Sequence, residues 1–170
     1  MIGTFAEIGK KYVMEVKVMK LAEALIVRSD VQKRIEQMKV RLSRSAKVQE
    51  GEKPPERPNE LLKEMGHLLT ELNVLIKRIN RTNAQVIFEN ETTLADALAD
   101  RDTLGLRRNI LNDLMHTASI KQDRYTKSEV RFLATVNIGT LQEEMDHLAK
   151  TYRELDTRIQ ELNWKTDLID

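Results

Sequence analysis

The sequence predicts an all-α chain: long antiparallel coiled-coil hairpins, four helices in all, with one short extended segment near 128–136. Three observations carry this expectation. Apolar residues recur in alternating steps of three and four over long stretches, an average of about 3.5 that marks coiled-coil seams rather than ordinary surface helices. All three prolines fall in QEGEKPPERPN, between two such stretches. Only 4% of the 170 residues are aromatic while 32% are charged, a balance that suits long helices better than a sheet sandwich. The length fits one domain.

The N-terminal stretch MIGTFAEIGKKYVMEVKVMK has scattered charges and no apolar signal-peptide core. Met14, Val16 and Val18 alternate as in a strand, whereas Phe5, Ile8, Tyr12, Val16 and Met19 recur as in a helix. Met14-Glu15-Val16 is encodable by ATGGAGGTN, which contains a purine-rich ribosome-binding sequence ahead of the ATG of Met19. Residues 1–18 are therefore expected to be a non-native or flexible extension, with residues 19–170 as a single helical domain.

A first helix is predicted from about Lys20 to Ala46, with seam residues Leu21, Ala24, Arg28, Val31, Ile35, Met38 and Leu42. The Pro-rich linker 50–58 ends it, and Asn59 is positioned to cap a second helix. That helix is expected to reach Val86 through Leu61, Met65, Leu68, Leu72, Leu75, Ile79 and Thr82. Residues 20–86 thus form one hairpin. FENETT breaks the pattern, and Thr93 with Asp96 opens a third helix, the short carboxylate standing in for the usual glutamate of a capping box. This helix is expected to reach about Asp123. In RYTKSEVRFLATVN, Val130, Phe132, Ala134 and Val136 alternate with other residues, an extended segment or edge strand. Thr140 and Glu143 form a capping box for a fourth helix to about Leu168, its seam running from Ile138 through Leu141, Met145, Leu148, Tyr152, Leu155, Ile159, Leu162 and Thr166 to Ile169. The second helical pair is therefore 93–168.

One phrase recurs: KRIEQM at 33–38, KRINRTN at 77–83 and TRIQELN at 157–163. With Ile35, Ile79 and Ile159 at heptad position a, Arg34, Arg78 and Arg158 all fall at g, and Lys39, Asn83 and Asn163 at e. These positions border the apolar seam, where polar groups set pairing and orientation. Asp30 lies four before Arg34 and Glu154 four before Arg158, the favourable order for helical ion pairs.

Composition and motifs exclude much. Net charge is +1, so the molecule as a whole has no strong pull on nucleic acid. The basic run of the first helix, Arg28 to Lys47, is spread round the helix and reads as a solvated face. No cysteine is present, which removes thiolate metal sites and fits a reducing cytoplasm. Glu64-x-x-His67 and Glu144-x-x-His147 have di-iron spacing, but in this register the glutamates fall at g and the histidines at c, facing outward. No glycine-rich phosphate loop or placed nucleophile is found, and neither cofactor nor catalytic residue is expected. The polar residues that could build a site or a subunit contact are Arg78, Asn80, Asn83, Arg101, Asp102, Arg124, Tyr125, Gln160, Asn163 and Trp164.

The stretches MKLAEALI, DVQKRIEQ, AKVQEGE, PNELL, IKRINRTN, LADALADRD, QDRY, TVNIGTLQ and ELDTRIQELNW resemble a family of small, mostly bacterial helical proteins of unknown function, some labelled septicolysin. They cover nearly all of 19–170. The resemblance supports Met19 as the usual start and implies no catalytic residues; the label implies a cytolysin. The expected function is a cytoplasmic, homo-oligomeric helical interaction or scaffold protein. A membrane-active cytolysin-like protein is the first alternative. A binding protein or enzyme with a polar Arg/Asn/Trp site is the second.

Overall fold

The computed structural model describes residues 18–119 and 133–170. Helices α1 (Leu21–Ser45) and α2 (Pro58–Gln85) form one antiparallel hairpin; α3 (Leu94–Ser119) and α4 (Ile138–Lys165) form the other. Strands β1 (Ile87–Glu89) and β2 (Thr92–Thr93) link them. The expected extension 1–18 lies outside the described residues up to 17. So does the expected extended segment up to 132, and its described remainder, 133–136, is irregular.

In the first hairpin the seam is as the sequence reads. Leu61, Leu68, Leu75 and Thr82 are buried at strict seven-residue spacing, with Ile79 beside them, and face Val31, Met38 and Ser45 of α1. Arg41 closes the far end of this hairpin, its guanidinium donating to both carboxylate oxygens of Glu56, Nε to Oε1 at 3.0 Å, with Glu64 3.9 Å away. In α3 the half-buried positions Arg101, Leu104, Arg108, Leu111, Met115 and Ala118 continue from buried Leu94 and Ala97 in steps of four and three. Two arginines thus occupy the seam itself. Arg108 lies 5.4 Å from the Tyr152 ring centroid of α4, and Arg101 pairs with Asp156 at 3.2 Å.

The two hairpins meet end on. Leu21, Ala24, Ile79, Thr82, Leu94, Ala97, Ile159, Asn163 and Leu168 are buried there, contributed by all four helices and the tail after α4. That tail runs antiparallel to the entry of α1: Leu21 N–H donates to Thr166 O (2.9 Å) and Leu168 N–H to Met19 O (2.9 Å). Ile169 N–H donates to the Thr82 hydroxyl (3.0 Å), which itself donates to Arg78 O (2.8 Å). Thr82 is fully buried, so its hydroxyl satisfies polar groups that would otherwise be stranded.

The structure corrects the sequence at five points. Helix α2 begins at Pro58 with Arg57 at its cap, so Asn59 lies inside the helix rather than capping it. Helix α4 begins at Ile138, capped by Asn137, whose side chain accepts from Thr140 N–H (3.2 Å); Thr140 lies inside the helix, not at its cap. It ends at Lys165, because Thr166 turns extended to pair with the α1 entry. FENETT is a hairpin rather than a plain break, with Asn90 (φ +43°) and Glu91 (φ +68°) making a two-residue turn of the left-handed kind that matches strand twist. The predicted helical ion pairs are exchanged for others: Asp30 pairs with Lys33 (3.5 Å), and Arg158 reaches Glu89 instead of Glu154. The Thr93–Asp96 box is present as read, with Asp96 N–H donating to Thr93 Oγ1 (3.2 Å) and Thr93 N–H to Asp96 Oδ2 (3.0 Å).

Ile159 is fully buried whereas the side chain of Arg158 is 50% exposed. Ile159→Ala is expected to cost about 2–5 kcal/mol. Arg158→Ala, losing one solvent-screened ion pair, is expected to cost less than about 1 kcal/mol. Denaturant unfolding of both variants checks this, and equal costs would place Arg158 in the interior.

Candidate functional site

A groove of about 580 Å³ opens where the β hairpin abuts the second helical pair. Ala97 and Leu104 of α3 and Leu155 of α4 form its floor, a helical flank where the small side chain of Ala97 leaves depth. Asp100, Thr103 and Arg107 line one wall, Thr151, Glu154 and Arg158 the other, and Phe88, Glu89, Asn90 and Thr92 close the end. The turn at Asn90 and Glu91 sets this end wall, since it reverses the chain and carries Thr92 back beside Glu89.

Arg158 joins the walls. Its Nη1 donates to both Glu89 carboxylate oxygens (2.7 and 2.8 Å), and its guanidinium lies 5.3 Å from the Phe88 ring centroid. Arg107 pairs with Glu144, and Glu154 lies 3.9 Å from Lys150. The groove therefore offers apolar floor, aromatic edge and charges of both signs. Its lining sets two arginines, three carboxylates and three threonines around that floor.

The residues that the sequence proposes as a polar site are spread over several networks. Arg78 holds the tail, donating to Ile169 O (3.3 Å) and pairing with Asp170 (2.6 Å). Asn80 is exposed on α2 and Asn83 half-buried. Arg101 binds Asp102 (2.8 Å) and Asp156 (3.2 Å). Gln160 and Trp164 are exposed. Asn163, read as a seam flank, is instead buried in the junction, because the tail folds over the end of α4. Arg124 and Tyr125 lie outside the described residues. None of the eight described residues among them lines the groove. Its residues come from β1, β2, the turn between them, α3 and α4, and only the recurrence that singles out Arg158 pointed toward it.

His67 and His147 are exposed, Glu144 is taken by Arg107, and among the described residues no group of three or more His, Cys, Asp or Glu could hold a metal ion. Among those residues, too, no helix is long and apolar enough to cross a membrane.

Charged groups are tuned by their partners. At Arg101, burial pulls the guanidinium down, but the hydrogen bond and charge of Asp102, with Asp156, outweigh it and hold the group above its ordinary value. The hydrogen bond from Arg41 holds the Glu56 carboxyl below its usual range, against desolvation. Side-chain and backbone hydrogen bonds from Thr93 do the same for Asp96.

A family of unknown function, DUF6847, matches residues 28–168. The chain belongs to this family. Like DUF6847 itself, a similar solved protein has no assigned role: the crystal structure of a functionally unknown conserved protein from Corynebacterium diphtheriae shares 44% identity, covers 89% of this chain and 99% of that one, and superposes with a TM-score of 0.82. That identity and score give this DUF6847 chain the same fold. No curated protein matches. The septicolysin label suggested by the resemblance is carried by neither description.

Both lowered carboxylates predict acid sensitivity. A depressed folded pKa contributes stability that is present above the unfolded value and lost as pH falls through the folded one. Thermal melts of Glu56→Gln and Asp96→Asn are therefore expected to fall below wild type near neutrality and to converge on it below about pH 4, the ordinary carboxylate range. A gap that persists unchanged into acid would assign the loss to something other than ionisation.

Proposed function

We propose that the protein is a cytoplasmic helical interaction protein that assembles from more than one copy of itself. The observation that carries this reading is a pair of apolar rows left outside the seams. On α2, Leu62, Leu69 and Ile76 are 58%, 50% and 36% exposed at seven-residue spacing; on α3, Leu106, Ile110 and Leu114 are exposed at four-residue spacing. Scattered exposed leucines are ordinary, but aligned rows on long helices are the mark of a face meant for a partner. Among the described residues, two-helix arms leave such rows without a partner. The absence of cysteine fits a reducing compartment.

The groove supports a second reading, a binding protein for an amphipathic ligand that carries both apolar and charged groups. Its size falls within the usual range for small-molecule sites. The lytic alternative predicts leakage from membranes.

Light scattering is expected to give particles heavier than one 19.7 kDa chain, and dye-loaded anionic liposomes are expected to stay sealed. A concentration-independent monomer would refute assembly and leave the groove as the functional feature. Leakage at micromolar protein would revive the cytolysin reading.

A further inference from the structure

Helix α2 carries all its acidic and basic residues on one side. Glu60, Lys63, Glu64, Glu71, Lys77, Arg78 and Arg81 fall at heptad positions c, f and g. Positions a and d face α1. The remaining face, positions e and b, is uncharged from end to end. Position e supplies Leu62, Leu69, Ile76 and Asn83; position b supplies Asn59, Gly66, Asn73 and Asn80. Apart from Asn83, which is half-buried, every one of these is exposed. In a chain that is 32% charged, a surface of about seven turns without a charge is not a solvated face.

We infer that this face pairs with the same face of a second copy, the two α2 helices lying antiparallel about a two-fold axis. The inference rests on the assembly reading above and names its contact. The order of residues is symmetric about the point midway between Leu69 and Asn73. An axis through that point sets Gly66 against Ile76, Leu69 against Asn73, Leu62 against Asn80 and Asn59 against Asn83. Small meets large at the first pair, and among the described residues a Cβ at Gly66 would meet nothing within 4 Å beyond its own stretch of helix, so the space there is open to a partner's side chain. Asparagine both donates and accepts, so Asn59 and Asn83 satisfy each other across the axis without any complementary charge. A two-fold interface demands this kind of self-matching. The four asparagines also weigh against a lipid occupant, since amides enter hydrocarbon unpaired at a high cost. Neutrality weighs against a strongly charged protein partner, which would find nothing to pair with.

The chain lacks cysteine, which makes single thiols clean probes. Residues 62 and 80 lie about 27 Å apart along one helix, too far to join within a chain. On mild oxidation, Leu62→Cys/Asn80→Cys is expected to form a covalent dimer, and Leu62→Cys alone is not. Leu69→Glu, at the centre of the face and half-exposed, is expected to keep wild-type helicity by circular dichroism and to halve the particle mass. Val40→Glu on α1, 50% exposed and outside both apolar rows, is expected to leave the mass unchanged. A monomeric wild type would overturn the assembly reading and this contact together. An oligomeric wild type whose mass survives Leu69→Glu would overturn the α2 contact alone. Efficient crosslinking of Leu62→Cys by itself would show parallel pairing and overturn the antiparallel arrangement.

Discussion

Two helices packed side by side bury one stripe each and leave the rest in water. Every other feature here follows from that constraint. Along the arms the core is a single row: Val31, Met38, Leu61 and Leu68 in one hairpin, with Leu148 the buried counterpart in the other among the described residues. Only where the hairpins abut do four helices contribute to one interior, and there lie the largest fully enclosed side chains, Leu21, Ile79, Leu94 and Ile159. The junction is thus where the chain acquires a three-dimensional core. It is sealed by polar groups as well as apolar ones, since the buried Thr82 hydroxyl at its centre ties the half-buried Ile169 amide of the tail to α2 by hydrogen bonds.

The same constraint explains why the interesting surfaces lie off the seams. A thin core exposes helix flanks, and flanks can be specialised. On the α3–α4 pair the flank next to the β hairpin becomes a groove, spanned at its end by the Arg158–Glu89 bridge over Phe88. On α2 the flank is stripped of charge. The two lie on different hairpins, so a partner on one need not obstruct the other, and the lining of the groove shares no residue with the uncharged face.

Much of the fold was legible because leucine repeats are strong local signals. The α2 seam was readable to the residue, from Leu61 to Thr82. The α3 seam was not, because Arg101 and Arg108 occupy positions where a hydrophobic residue is expected, and their burial is stabilised by partners on α4, Asp156 and the Tyr152 ring. The end of α4 misled for a related reason. Leu162, Thr166 and Ile169 continue helical spacing, yet backbone pairing with Met19 and Leu21 takes Thr166 out of the helix. At the start of α4, Asn137 and Thr140 are both good caps three residues apart, and sequence alone does not choose between them. The groove was almost invisible, since Phe88, Asp100 and Arg158 become neighbours only through the tertiary fold. Asn80 and Asn83 were noticed for their polarity; their place on an uncharged face emerges only once the burial of the seam shows which side of α2 remains open.

The strap of residues after α4 has a consequence for the order of events during synthesis. Lys20 and Asp167, paired across the junction, are 147 positions apart in the chain. The first hairpin is complete in its own local contacts once α2 has emerged, and the second once α4 has. The shared core is sealed only after residues 166–169 leave the ribosome. Until then Leu21 and Ile159 lack their cover. A nascent chain therefore carries the first rod alone while the second is being made, and residues 166–169 are the stretch that fixes the two to each other.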